Sequence, residues 1–173
     1  GDVYVTGYFE EGFSFLPADI EASDGLFLAV LDGDDLTMVK NVNTATGTAR
    51  VRCGGIDVDG SGDAYIVGEF DNTLTFPGEG SRTSNGGSDI FFAKYDVSDE
   101  DFEMVTQVGG SSDDRARSIA LSSNSLYITG DFRGTTNFNP DGGGASNLTA
   151  GSQYDFFVAR YSLTGSYQNV YRV

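Results

Sequence analysis

Short apolar runs alternate with polar turns along the whole chain, and no run shows the 3.6-residue spacing of a long amphipathic helix. The phrase Asp-x-Tyr-[Val/Ile]-x-Gly-x-Phe spans residues 2–9 and returns at 63–70 and, with Ser125 in place of the Asp, at 125–132. Its tyrosines, Tyr4, Tyr65 and Tyr127, lie 61 and then 62 residues apart. A fixed period of this length predicts one supersecondary unit that is used several times.

Each unit divides into four strands, named A to D in chain order. Strand B is the Tyr-containing phrase, and a short return strand and a polar loop lead from it to strand C. Strand C is a near-continuous apolar run, as expected for a strand buried on both faces. Strand A is predicted at 55–59 and 118–122, strand C at 25–29, 89–93 and 155–159, and strand D at 36–42, 102–108 and 167–173. The first unit lacks strand A. The units span 1–54, 55–117 and 118–173, and they form one structural domain or part of a larger array.

Composition favours an all-β protein with many tight turns, because 24 Gly, 13 Phe and 9 Tyr occur in 173 residues. The formal net charge of −16 argues against nucleic-acid and membrane-surface partners, since both present negative charge. The single cysteine excludes an internal disulfide. No apolar run reaches the roughly 18 residues of a membrane-spanning helix, so no membrane insertion is expected.

Three phrases together resemble the SBBP-type β-propeller repeats. Residues 58–68 are similar to that family's VDssGNvYvtG phrase, residues 89–96 and 155–161 to its DiFvaKyd phrase, and residues 138–142 with 147–149 to its fdPg…nlts loop. The resemblance covers essentially the whole chain. It implies a secreted or cell-surface β-propeller within a large modular protein, and it implies no catalytic residues because the family shares none. The first unit departs from it at Val30-Leu31, and Leu36, Phe102 and Tyr167 stand where strand D usually has Trp.

Three four-stranded blades are fewer than the 4 to 8 that typically close a propeller, so sheet faces and edges would be left open. Three arrangements solve this problem. The segment belongs to a longer array, two copies pair to give six blades, or copies stack into an open filament. The chain begins within a unit, which favours a longer array or completion of the first sheet by a strand from a neighbour.

Candidate chemistry is sparse. The absence of His excludes Ser-His-Asp and Cys-His catalysis in their usual form. Cys53 takes the place of Ala116 in the next unit, which favours a small core residue over a reactive thiol. Asp57, Asp59 and Asp63 lie across a Gly-rich turn and offer oxygen ligands for calcium. The alternative is that Asp59 and Asp63 are ordinary turn residues that bind their own backbone.

The other polar features also have more than one interpretation. The C–D hairpins carry acids at 32–35 and 96–103, which form either a solvated edge or a cation-bridged contact between copies. Asn147 begins the only N-x-[ST] sequon, in a predicted polar loop where a glycan could be attached. Paired carboxylates could serve a glycosidase, but no acid is expected in an apolar setting that would raise its pKa.

We therefore expect a non-enzymatic, extracellular, structural or adhesive β-propeller-like array of about three blades. Its expected partners are its own copies or neighbouring repeats of a longer chain, with glycans or surface proteins as further candidates. Calcium is the only cofactor considered. The main alternative is a propeller that is closed by oligomerisation and binds a glycan or protein, and the third is a carboxylate-based glycosidase.

Overall fold

The computed structural model describes residues 1–10, 13–15, 18–20, 24–33, 35–41, 44–46, 49–142 and 146–173. Within these ranges every regular element is a β-strand and all strand pairs are antiparallel, which confirms the all-β class. The strands are β1 (Val3–Glu10), β2 (Phe13–Phe15), β3 (Ala18–Ile20), β4 (Asp24–Asp32), β5 (Asp35–Asn41), β6 (Thr44–Thr46), β7 (Val51–Val58), β8 (Ala64–Phe70), β9 (Thr73–Phe76), β10 (Gly80–Thr83), β11 (Asp89–Asp96), β12 (Asp101–Gly110), β13 (Asp114–Ser122), β14 (Ser125–Phe132), β15 (Thr135–Asn137), β16 (Asn147–Thr149), β17 (Asp155–Ser162) and β18 (Tyr167–Arg172).

Three sheets follow the strand order predicted from the repeat. The first sheet is β1-β4-β5, the second contains β7, β8, β11 and β12 as consecutive neighbours, and the third is β13-β14-β17-β18. The second and third sheets therefore have the order A-B-C-D, and the first has B-C-D. The described residues contain no closed barrel or ring of sheets.

Strand A begins four residues earlier than the apolar pattern predicts, at Val51 in β7 and at Asp114 in β13. The register of each strand shifts at a bulge, between Cys53 and Gly55 in β7 and between Ala116 and Ser118 in β13. A bulge inserts one residue and inverts the in–out alternation, so the period-2 pattern stops there although the pairing continues. Val42, the last residue of the first predicted strand D, lies outside the described residues.

The polar loop before strand C contains a strand in every unit, which the sequence pattern did not predict. The strands β3, β10 and β16 pair with β2, β9 and β15 respectively. Facing hydroxyls hold the second and third of these hairpins, as in Thr75–Ser81 at 2.8 Å and Thr135–Thr149 at 2.9 Å between oxygens. Polar cross-strand pairs stabilise a hairpin without producing an apolar pattern, so this signal was missing from the sequence.

The segment at or just after strand D of the first and second units pairs with the hairpin of the following unit. β6, a separate short strand that follows β5, pairs with β9, and Gly109 and Gly110 at the end of β12 pair with Asn137 and Thr136 of β15. Consecutive units are therefore joined by backbone hydrogen bonds as well as by side-chain packing.

Two apolar clusters lie between successive sheets. One joins Leu26 and Leu28 of the first sheet to residues of the second that include Phe91, and the other joins Phe92 of the second sheet to residues of the third. Phe91 and Phe92 are adjacent in β11 and point to opposite faces, so the second strand C is buried on both faces as predicted. The prediction is wrong for β17, where Phe156 is 62% exposed because no described strand covers that face.

The glycine of the repeated phrase makes room for an aromatic ring. Gly7, Gly68 and Gly130 pair in register with Phe27, Phe91 and Phe157 respectively. In all three sheets a Cβ on this glycine would lie within 3.0 Å of the paired phenylalanine ring. In the second and third sheets it would also overlap a carbonyl oxygen of strand A, that of Arg52 or Arg115. Two close contacts therefore explain this glycine where strand A is present, and one explains it in the first sheet.

Candidate functional site

The three acids proposed for calcium point to different partners. The carboxylate of Asp57 accepts hydrogen bonds from the amides of Val58 at 2.8 Å and of Leu121, in the third sheet, at 2.7 Å. The Oδ1 of Asp59 accepts from the amides of Ser61 and Asp63, at 2.9 and 3.2 Å, and so closes the turn. Among the described residues no group of three or more His, Cys, Asp or Glu residues could hold a metal ion.

Asp63 was expected to bind its own backbone if it was a turn residue, but its carboxylate instead lies 2.8 Å from the ammonium of Lys94. Glu103 of strand β12 contacts the same ammonium. Although burial acts to lower the pKa of Lys94, its hydrogen bonds to Asp63 and Glu103 raise that pKa above its ordinary value. The acidic turn is therefore tied to strands C and D of its own sheet.

A pair of buried acids, Asp89 and Asp114, was missed in the sequence. Both side chains are inaccessible to solvent where the second sheet meets the third. Asp114 accepts hydrogen bonds from the hydroxyl of Thr136 and, at 2.7 Å, from the amide of Gly110. Asp89 is the first residue of an apolar strand, and this position was the one sign in the sequence that the acid could be buried. Asp114 lies before the predicted start of strand A, at the position that Val51 has in β7, so the sequence pattern did not mark it as buried.

Burial shifts the ionisation of both acids. It raises the pKa of Asp114 to about 7, with the charge of Asp89 adding to the effect and the bond from Thr136 opposing it. Burial also raises the pKa of Asp89, against the bonds from Gln107 and Asn85. One oxygen of Asp89, Oδ1, is buried without a hydrogen-bond partner in the described part of the chain. The expectation that no acid has a raised pKa was therefore wrong, because strands distant in sequence enclose these two.

Cys53 lies where its alignment with Ala116 placed it. Cys53 pairs with Gly68 and Ala116 with Gly130, and each stands beside the bulge of its strand A. The half-buried thiol packs against the apolar cluster between the first and second sheets, and its sulfur lies 3.8 Å from the hydroxyl oxygen of Thr6. Burial raises the pKa of this thiol, which lowers the thiolate fraction near neutral pH.

The sequon and the acidic hairpins are on the surface. Asn147 is exposed and begins strand β16, so it lies in a short hairpin rather than in the predicted loop. Asp96 accepts hydrogen bonds from the amides of Ser98 and Asp99 and therefore stabilises its own C–D hairpin. In the first C–D hairpin, Asp34 lies outside the described residues.

A polar groove of about 360 Å³ opens at the same junction as the buried acids. The polar side chains that line it include Arg82, Asn85, Gln107, Asn137 and Asp141. Several of them are already engaged, since Gln107 donates to Asp89 at 2.7 Å and Arg82 to the carbonyl of Val105 at 3.1 Å. Neither Asp89 nor Asp114 lines the groove, so it does not present that pair of carboxylates to a ligand.

Comparisons with known proteins give no family assignment. Neither a scan against protein-family models nor a search of curated protein sequences produced a match. In the part of the chain described here, no helix has the length and apolar character to cross a membrane.

Proposed function

We propose that the chain is a non-enzymatic extracellular module with a structural or adhesive role, built as a β-propeller-like array whose sheets stack on further repeats or copies. The observation that carries this proposal is the repeated use of the same positions between sheets. Leu26 and Leu28 of the first sheet pack toward the second, and Ile90 and Phe92, at the same positions in the second sheet, pack toward the third. The third sheet carries Phe156 and Val158 at these positions with no described sheet against them.

The proposed extracellular setting rests on the resemblance to SBBP-type repeats, and composition is compatible with it. A net charge of −16 keeps such a module soluble, and a single cysteine makes it independent of disulfide formation. Calcium at Asp57, Asp59 and Asp63 stays a candidate cofactor, and a glycan at Asn147 stays a candidate modification. Antibody labelling of intact and of permeabilised source cells tests the location, since labelling restricted to permeabilised cells would refute it.

A tandem chain tests the stacking. Two copies of residues 1–173, joined in frame, place the third sheet of one copy next to the first sheet of the other. If the sheets stack as repeats, the tandem chain melts at a higher temperature than the single chain because the joint buries apolar faces. The control is the same tandem chain with Phe156→Glu in its first copy only, which should return the melting temperature to that of the single chain. Equal melting temperatures of single and tandem chains would refute the proposal.

The polar groove favours ligand binding as a second candidate function. Amide, guanidinium and carboxylate groups at the rim of a cleft of about 360 Å³ suit a neutral, hydroxyl-rich ligand such as an oligosaccharide. Titration with a panel of soluble oligosaccharides, followed by calorimetry, tests this function. Binding that is lost in Asp141→Ala and kept in Asp99→Ala, a matched exposed acid on a C–D hairpin, would support it. The absence of heat from the whole panel would count against it.

A further inference from the structure

The second sheet shows which side chains form a face that packs against a neighbouring sheet. Tyr65 and Val67 of β8, together with Ile90 and Phe92 of β11, form its face toward the third sheet, and all four are at most 1% exposed. Pairing in register aligns these positions with Tyr127, Thr129, Phe156 and Val158 of the third sheet. We call these last four residues the outer face of the third sheet. They occupy the same positions as a face of the second sheet that is buried.

The outer face of the third sheet remains open to solvent. Phe156 is 62% exposed, and Tyr171, which pairs in register with Val158, is 63% exposed. Phe156, Val158 and Val173 help to line a hollow of about 350 Å³ beside Arg117. Exposed aromatic and aliphatic side chains around one hollow are typical of a surface that binds another protein surface.

The first sheet presents the complementary type of face. Its outer face is defined by Val3 and Val5 of β1 and by Phe27 and Leu31 of β4, which alternate with the side chains that pack toward the second sheet. Val3 and Val5 are 53% and 41% exposed. The equivalent positions of the third sheet hold Leu126, Ile128, Phe157 and Tyr161, which are buried against the second sheet.

We propose that the outer face of the third sheet binds the outer face of the first sheet in a second copy of the chain, head to tail. This inference rests on the proposed stacking function and names its partner. The contact would repeat the junction between the second and third sheets, with Phe156 and Val158 in the places of Ile90 and Phe92. Because the two faces differ, the contact is heterologous, and it either closes a ring or grows into a filament.

Charge on the outer face of the third sheet supports contact between acidic copies. Arg160 stacks over the ring of Tyr127, with 5.7 Å between its guanidinium carbon and the ring centroid, and Arg117 donates to Asp131 at 2.7 Å. Arg115 pairs in register with Asp131 and lies 3.9 Å from its carboxylate, so arginines outnumber acids around this face in a chain of net charge −16. The local positive charge reduces repulsion at the one surface where two acidic copies would approach each other.

The internal junction also predicts a hydrogen bond between copies. The hydroxyl of Tyr65 donates to the carbonyl of Leu163, in the C–D hairpin of the next sheet, at 3.4 Å. Tyr127 occupies the position of Tyr65, and the C–D hairpin of the first sheet follows strand C as the hairpin with Leu163 does. The hydroxyl of Tyr127 should therefore donate to a backbone carbonyl of that hairpin in the second copy.

The test uses two variants, each of which blocks one face. Phe156→Glu blocks the outer face of the third sheet, and Val5→Glu blocks that of the first. Tyr8→Glu is the matched control, because Tyr8 is 49% exposed on the opposite side of β1 from Val5. Sedimentation equilibrium over a wide concentration range measures association, and circular dichroism confirms that each variant is folded.

We expect wild type and Tyr8→Glu to associate with rising concentration, and each blocking variant alone to associate at least about tenfold more weakly. An equimolar mixture of Phe156→Glu and Val5→Glu should form a dimer, since each variant supplies the face that the other has lost. A monomeric wild type, or a mixture that does not associate, would overturn the inference. Failure here together with a stabilised tandem chain would leave the proposed function standing, whereas failure of both would refute both.

Discussion

The two junctions between successive sheets have the same strand pairing but differ in the side chains that fill them. The junction between the first and second sheets buries Val51 and Leu74. At the equivalent positions, the junction between the second and third sheets buries Asp114 and Thr136, which are joined by a hydrogen bond. An apolar pair and a hydrogen-bonded polar pair therefore occupy the same place in the repeat. The same strand pairing therefore accepts either an apolar pair or a polar pair at this position, provided that the two buried polar side chains bond to each other.

The position opposite strand B at the start of strand C follows the same division. Gly25 occupies it in the first sheet and Asp89 in the second. Asp89 is held by the amide and side chain of Asn85 and by Gln107. The junction between the second and third sheets therefore contains a network of hydrogen-bonded polar residues, and differs from the first junction by more than one residue pair.

Introducing the acid without its partner should be the most damaging change. Val51→Asp places a carboxylate in the apolar junction, where Leu74 offers no hydroxyl, and should cost about 3–5 kcal/mol in the free energy of unfolding. Val51→Ala controls for lost volume and should cost roughly 2 kcal/mol. Urea unfolding measures both variants. Equal stability of the two would show that this junction tolerates charge.

The acidic junction should make stability depend on pH. The pKa of Asp114 is about 7 in the folded protein against 3.8 for an ordinary Asp, so the folded state binds the proton more tightly. The stabilisation is fully present below pH ~4 and is lost as the pH rises through ~7, by on the order of 4 kcal/mol at most. Thermal melts of wild type and Asp114→Asn between these limits should diverge as the pH rises, with the variant gaining in relative stability. Parallel curves would contradict the raised pKa.

The strand pairing that the sheets share should be disturbed by a substitution of the repeated glycine. Gly130→Ala forces a Cβ against the carbonyl of Arg115 and the ring of Phe157, and should destabilise the protein by about 1–3 kcal/mol. Gly7→Ala is the matched control, because a Cβ there meets only the ring of Phe27. We expect a clearly smaller loss for Gly7→Ala in chemical denaturation. The reverse order would refute the role assigned to strand A.

The hydrogen bond from the Leu121 amide to Asp57 joins the second and third sheets, and it can be removed without changing the junction between the first and second sheets. Asp57→Ala removes the acceptor for the amides of Leu121 and Val58 and should cost about 1–2 kcal/mol. Asp57→Asn keeps one acceptor oxygen and should lose about half as much. Hydrogen exchange at the Leu121 amide, measured by NMR, should accelerate in both variants. Unchanged exchange at this amide would mean that the bond does not protect it.

Removal of calcium should have the smallest effect. Because Asp57 and Asp59 accept backbone hydrogen bonds and Asp63 pairs with Lys94, chelation should shift the melting temperature by no more than the error of the measurement. Asp59→Asn tests the same turn independently. A stabilisation by added calcium that disappears in Asp59→Asn would instead establish the metal site.

The strand order and much of the core could be predicted from the amino-acid sequence alone. The 61- and 62-residue steps between the tyrosines aligned three units, and the apolar alternation within each unit located strands B and C. Such patterns are local, because successive side chains of a strand face opposite sides and each unit must bury the same face. Alignment of the units also placed Cys53 at the position of Ala116, where the structure has it.

Contacts between sheets, which the sequence pattern does not reveal, determine which sheet faces are buried and how the buried acids ionise. The apolar runs of β11 and β17 look alike, yet Ile90 is buried and Phe156, at the same position, is exposed, because burial depends on whether another sheet lies opposite. In the sequence Asp114 cannot be distinguished from a surface acid, whereas in the structure it is buried and bonded to Thr136 and Gly110. Desolvation and hydrogen bonding act through neighbours that are distant in sequence, so a local pattern cannot report them.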